Sequence, residues 1–191
     1  MSTIRPPRLF IAFVLAAAWS CAATANDALW TLLERGGQVV LIRHGLTTAG
    51  VGDPAGFKPG DCATQRNLVD EGRREAERLG GALRAHKVPV ARVLSSPWCR
   101  CLETARIAFG IEPVVDDALA NLFDNSPNRD RQVAAFRKLV ASAPKQGNLF
   151  LVTHGSTTAA FTGINQGTAE MVIVTPEGGD RYRVAGRLAV Q

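Results

Sequence analysis

The chain has 191 residues, 46% of them hydrophobic and 20% charged, with 22 Lys and Arg against 17 Asp and Glu. So much apolar side chain excludes intrinsic disorder, and the length suits one domain with a substantial core better than two. Arg supplies 18 of the 22 basic residues, but the arginines are scattered and no basic run interleaves with aromatics, so nucleic acid is not an expected partner.

Residues 1–25 read as a secretory signal peptide. Arg5 and Arg8 form a basic start, Leu9 to Ala18 is an apolar run, and Ala23-Thr24-Ala25 is a small-x-small cleavage site. The run is shorter than the roughly 20 residues needed to cross a bilayer. The expected product is therefore an exported domain over residues 26–191, with no stable membrane association once the leader is gone. A lipoprotein acylated at Cys21 is the minor alternative, because Ala18-Trp19-Ser20 matches the required upstream pattern only weakly. Cleavage leaves Cys62, Cys99 and Cys101, and an odd count in an oxidising compartment suggests one disulfide and one thiol. Cys99 and Cys101 are too close in sequence to pair comfortably, so Cys62 is half of the bridge, with either of the others as its partner.

In chain order, Asn26 or Asp27 can cap a short helix carrying Leu29, Leu32 and Leu33, which Gly36-Gly37 ends. Val39 to Ile42 is a continuous run typical of a strand buried on both faces. Residues 45–68 are rich in Gly, Pro, Thr and Asp and have no clear period, which predicts a long loop. Asp70 is expected to cap a helix with Ala76, Leu79 and Leu83 on one side, ending near His86. Arg92 to Ser95 predicts a short strand, and Leu102, Ala105 and Phe109 mark the next helix. Val114-Val115 is a further candidate strand, and Asn121 to Asp130 is polar and irregular. Val133, Phe136, Leu139 and Val140 mark a helix that stops before Pro144. Asn148 to Val152, Ala169 to Val174 and Tyr182 to Val190 predict strands, the last an antiparallel edge after a Gly-Gly turn. Alternation of helices with apolar strands predicts an α/β fold: a three-layer α/β/α sandwich around a mainly parallel sheet.

A short internal echo carries the functional information. Leu41-Ile42-Arg43-His44-Gly45-Leu46-Thr47-Thr48-Ala49 recurs as Leu151-Val152-Thr153-His154-Gly155-Ser156-Thr157-Thr158-Ala159, with six of nine positions identical. Each copy runs a buried strand out at its carboxyl end into His, Gly and hydroxyl residues, and open parallel sheets bind ligands at those ends. Gly after each His allows a sharp turn and close approach to a ligand. Arg43 adjoins the first His, and Arg100 follows the strand-to-helix corner Ser95-Ser96-Pro97-Trp98-Cys99. Two Arg and two His around a Gly- and Thr-rich loop describe a phosphate pocket, since guanidinium forks match phosphate oxygens. For His86 a simple hydrogen-bonded role suffices.

Arg43-His44-Gly45, the Ser-Ser-Pro-x-x-Arg corner with Glu103-Thr104-Ala105, and Thr153-His154-Gly155, in that order, resemble the histidine phosphatase superfamily in its phosphoglycerate-mutase-like branch. The stretch Asp61-Cys62-Ala63-Thr64-Gln65-Arg66-Asn67-Leu68 and the Cys-Arg-Cys corner resemble its small periplasmic members. The resemblance implies a phosphomonoesterase without cofactor or metal, in which His44 is the nucleophile and Arg43, Arg100 and His154 hold the phosphoryl oxygens of a small phosphorylated substrate or phosphate. Thr47 either adds a hydroxyl donor to phosphate or satisfies its own loop backbone, and Gly155 is a further expected substrate contact. Leu46 stands where many members carry Glu, and counting from Leu119 to the usual acid lands on Asn121. The proton donor is therefore Asp124 or its rival Glu170, while Asp53 and Asp61 read as solvated or turn-forming loop acids. No Cys is followed six positions later by Arg, so a cysteine phosphatase is excluded, and no closed zinc spacing or Gly-Lys-Ser/Thr loop exists. The alternative to an enzyme is a phosphate-binding pseudophosphatase that keeps the pocket without turnover.

Overall fold

The computed structural model describes residues 26–50, 52–122, 129–141 and 144–190. The expected leader over residues 1–25 and the candidate acid Asp124 lie outside the described residues. Helix α1 covers residues 26–35 and leads into β1 (Val39–Arg43), followed after a long loop by α2 (Asp70–Ala85), β2 (Val90–Ser95) and α3 (Cys99–Phe109). Then come β3 (Val114–Val115), α4 (Arg129–Ala141), β4 (Asn148–Thr153), α5 (Gly155–Thr162), β5 (Met171–Gly178) and β6 (Arg181–Leu188).

The strands form one sheet in the order β3-β2-β4-β1-β5-β6. Its two central strands, β4 and β1, are the two continuous apolar runs of the sequence, and all six residues of β4 are buried. Alternate residues of β1 serve different layers. Val40 and Ile42 pack with Leu33 of α1, Leu79 and Leu83 of α2 and Ala105 and Ala108 of α3, whereas Val39 and Leu41 pack with Phe136 and Val140 of α4. Helices thus cover both faces, as predicted.

The sheet is mixed rather than mainly parallel. β1, β2, β3 and β4 run parallel, but β5 is antiparallel to β1 and β6 antiparallel to β5. The reason is length. With eight residues, α5 advances the chain about 12 Å at 1.5 Å per residue, against about 20 Å for the six residues of β4. The chain is not carried back to the amino edge, so β5 starts at the carboxyl edge, with Met171 paired to Ile42, and runs the other way. At α2 the expected cap is also shifted: Val69 is the N-cap, and Asp70 is the first helical residue, paired with Arg73 in the first turn.

Candidate active site

The register of β1 against β4 pairs Arg43 with Thr153, so the residues that follow, His44 and His154, leave the sheet side by side. The His44 amide donates to the Thr153 carbonyl at 3.0 Å, and the two imidazole rings meet edge to face with centroids 5.4 Å apart. The echo in the sequence is therefore one geometry built on two adjacent parallel strands. On the other side of β4, β2 ends at Ser95, Ser96 follows it, and α3 begins at Cys99, which sets Arg100 in its first turn beside His154.

These groups line a cleft of about 400 Å³, whose walls include Arg43, His44, Arg66, Arg100, His154 and Gly155 together with Asn121, Ser156, Asn165 and Gln166. His44 is buried, and its Nδ1 lies 2.8 Å from the Gly45 carbonyl, an acceptor, so Nδ1 carries the proton and Nε2 keeps its lone pair. Burial, reinforced by Arg100, Arg43 and Arg66, pushes the His44 pKa from 6.5 down to about 3 despite the Gly45 hydrogen bond. The ring is neutral near neutral pH, the form a nucleophile requires. Burial, the neighbouring His44 imidazole and the charges of the same three arginines hold His154 well below its ordinary pKa too. Arg100 Nη2 lies 3.4 Å from Nδ1 of His154, which must accept, so Nε2–H faces Ser96 Oγ at 2.8 Å.

Arg43 donates from Nη1 to the Gln166 carbonyl at 2.8 Å, and burial lowers its pKa. Gly155 gives Arg43 room: a Cβ there would lie 3.3 Å from Cδ and Nε of Arg43, a tight contact that would make the side chain shift by a few tenths of an ångström. Gly45 has a different reason from the expected close approach to a ligand. Its missing Cβ lets α2 cross, since a Cβ there would sit 2.4 Å from the Gly72 carbonyl oxygen. The Nε groups of Arg43, Arg66 and Arg100 are all buried without a hydrogen-bond partner. Unsatisfied buried donors are unfavourable, so these guanidinium groups retain hydrogen-bonding capacity that the protein itself does not fill.

Of the residues singled out in the sequence, the structure brings together Arg43, His44, Arg100, His154 and Gly155. Thr47 is not among the cleft-lining residues; it sits in the loop after β1, bridged to Leu68. Glu170 is not brought to the cleft either. Both of its carboxylate oxygens pair with Arg187 at 2.7 Å, one also accepts from the Gly167 amide, and although burial opposes it these bonds hold the carboxyl below its usual range. A carboxylate committed this way has no proton to donate at neutral pH. The disulfide joins Cys62 to Cys99, and Cys101 is the buried free thiol, pushed by burial up to about 12.

Sequence reasoning missed two members of the site, Arg66 and Asp53. Arg66 lines the cleft from the loop after β1, tethered by its Nη1 to the Gly50 carbonyl. Asp53, expected to be a solvated loop acid, has a side chain only 5% exposed and is ion-paired to Arg100. The one signal for both was the Arg-containing stretch beside Cys62, whose disulfide draws the loop onto α3. Among the described residues no cluster of three or more His, Cys, Asp or Glu is placed to hold a metal ion, and no helix is long and apolar enough to cross a membrane.

Residues 39–123, which carry the first imidazole and both sequence-predicted arginines, match the family model of the histidine phosphatase superfamily (branch 1). Over those residues the chain is similar to the histidine phosphatase superfamily. Among curated sequences no protein matches significantly. Solved structures of this fold are numerous. The Rv3214 protein of Mycobacterium tuberculosis superposes with a TM-score of 0.59 at 20% identity, covering 82% of this chain and 100% of its own. SixA of Agrobacterium tumefaciens, assigned as a phosphohistidine phosphatase, gives 0.55 at 23% identity over 80% of this chain and 97% of its own. The mycobacterial glucosyl-3-phosphoglycerate phosphatase Rv2419c gives 0.56 at 19% identity over 78% and 97%. At these identities the likeness establishes a shared fold.

Proposed function

We propose that this chain is a phosphomonoesterase that needs no metal and works through a phosphohistidine on Nε2 of His44. The observation that carries the reading is the pair of facing imidazoles with three arginines around one cleft. Nε2 attacks phosphorus while the bond to the leaving oxygen breaks; water then attacks the phosphohistidine, phosphate departs, and the lone pair returns to Nε2. Phosphoryl transfer asks chiefly for alignment and for positive charge around the equatorial oxygens. Arg43, Arg66 and Arg100 supply that charge, and the start of α5 at Gly155 adds the positive end of a helix dipole.

No carboxylate lines the cleft among the described residues. Asp124 is the proposed proton donor, and an acidic leaving group relaxes the need for a strong one. Residues 1–25 are read as an export leader, and the Cys62–Cys99 disulfide supports an oxidising working compartment. SixA, a protein histidine phosphatase solved with tungstate, and the sugar-acid phosphatase Rv2419c mark two substrate classes to try first.

The test is hydrolysis of an aryl phosphate by the wild-type protein in EDTA. Turnover should persist with the chelator and fall by about 10⁴-fold or more in His44→Ala. Tight phosphate binding without turnover would leave a pseudophosphatase instead.

A further inference from the structure

We propose that Asp53 is a positioning residue of this site: it anchors the Arg100 guanidinium and sets the charge of the cleft for a phosphoryl dianion. The proposal deepens the phosphatase reading and rests on it.

Asp53 sits in a loop of Gly, Pro and Thr, where an acid has easy access to water, yet its side chain is almost wholly buried. Four donors fill its two oxygens. Oδ1 accepts from Arg100 Nη1 at 2.7 Å and from the Arg66 amide at 3.0 Å. Oδ2 accepts from Arg100 Nη2 at 3.2 Å and from Trp98 Nε1 at 2.9 Å. A buried carboxylate is unfavourable unless it is paired and hydrogen-bonded, and here every compensating bond lies at the entrance to α3 or on the loop that carries Arg66.

The two-point grip fixes the plane of the Arg100 fork. The same Nη2 reaches Nδ1 of His154, so the orientation that Asp53 imposes also decides which nitrogen of His154 accepts and which faces Ser96. Asp53 is not among the residues lining the cleft, so it stands behind the guanidinium rather than in the place of substrate. Charge leads to the same conclusion. Arg43, Arg66 and Arg100 surround the cleft with three positive charges, and Asp53 cancels one, which leaves two opposite a doubly charged phosphate.

The experiment is a double-mutant cycle of Asp53→Asn with Arg100→Ala, read by aryl phosphate turnover, by tungstate affinity in calorimetry and by thermal unfolding. Alone, Asp53→Asn should lower kcat by about 100-fold, the scale of a misplaced catalytic group, and weaken tungstate by about 10-fold. In the Arg100→Ala background the same change should cost neither turnover nor affinity anything further. Additive losses, or unchanged kcat and tungstate affinity with only a lower melting temperature, would overturn the proposal. Should Asp53→Asn not fold, Trp98→Phe removes one donor to Oδ2 but also alters the ring packed against His154, so it is compared in the wild-type and Arg100→Ala backgrounds: a several-fold loss of tungstate affinity confined to the wild-type background supports the assignment, and no loss, or the same loss in both, refutes it. A wild-type protein that binds tungstate without turning over any phosphate ester defeats the phosphatase reading alone, and the tungstate cycle still decides the role of Asp53.

Discussion

His44 and His154 are neutral inside the protein and become ordinary imidazoles only when it unfolds. Their folded pKa values lie below the unfolded one, so as pH falls through 6.5 the unfolded chain takes up protons that the folded chain refuses. Stability is fully present above about pH 6.5 and drains away toward pH 3. For His44 the loss at pH 4.5 is roughly 3 kcal/mol. Thermal unfolding followed between pH 7.5 and 4.5 should show this decline, with a shallower slope in His44→Gln. Catalysis has a different acid limit. With Nε2 of His44 unprotonated down to about pH 3, the acid limb of kcat/KM should follow the second ionisation of the phosphate ester, near pH 6, and move when the ester is changed. A limb fixed at one pH for all esters would point to an enzyme group instead. Arg100→Ala should severely lower turnover and weaken inhibition by vanadate together, leaving a measurable residue of each, because Arg100 touches both His154 and the cleft.

At the scale of elements, the tightest joint is between the loop after His44 and the first turn of α2. A Cβ on Gly72 would fall 2.1 Å from the Leu46 carbonyl oxygen, backbone against backbone. Gly72→Ala should therefore destabilise by about 3 kcal/mol or more, measured by urea unfolding, and should lower activity because the displaced loop carries His44. The strands β1, β2 and β4 and the helices α2 and α3 were legible because each announces itself locally, by an apolar run or a helical period. His44, Arg43, Arg100 and His154 were legible for the same reason: they sit at the ends of those elements. Helix α5 was not, since Gly155-Ser156-Thr157-Thr158 has poor helix propensity and no apolar stripe. The direction of β5 depended on the length of that missed helix. Asp53 and Arg66 lie in an aperiodic loop whose path is set by partners far along the chain, Arg100 and Cys99, and no local pattern encodes such a path.

Over the whole molecule, the Cys62–Cys99 bond closes a stretch of 37 residues and holds the loop bearing Asp53 and Arg66 against α3. Removing both cysteines should cost about 4 kcal/mol by the loop-closure account, read as a lowered denaturant midpoint. Turnover should fall under conditions where the protein is still folded, since the freed loop no longer presents Arg66.

Cys99 and Cys101 are two residues apart on one helix, about 200° around its axis, and the native winding points one sulfur at the loop and hides the other over β4 beside the Thr153 carbonyl. A chain that meets oxidant before that helix has wound has no such sorting, and Cys62 then chooses between two nearly equivalent thiols. The wrong choice would rotate Arg100 away from His154 and trap an inactive isomer. Air-oxidised refolding of Cys101→Ala should accordingly give a higher active yield than wild type, and adding a disulfide isomerase should close the gap.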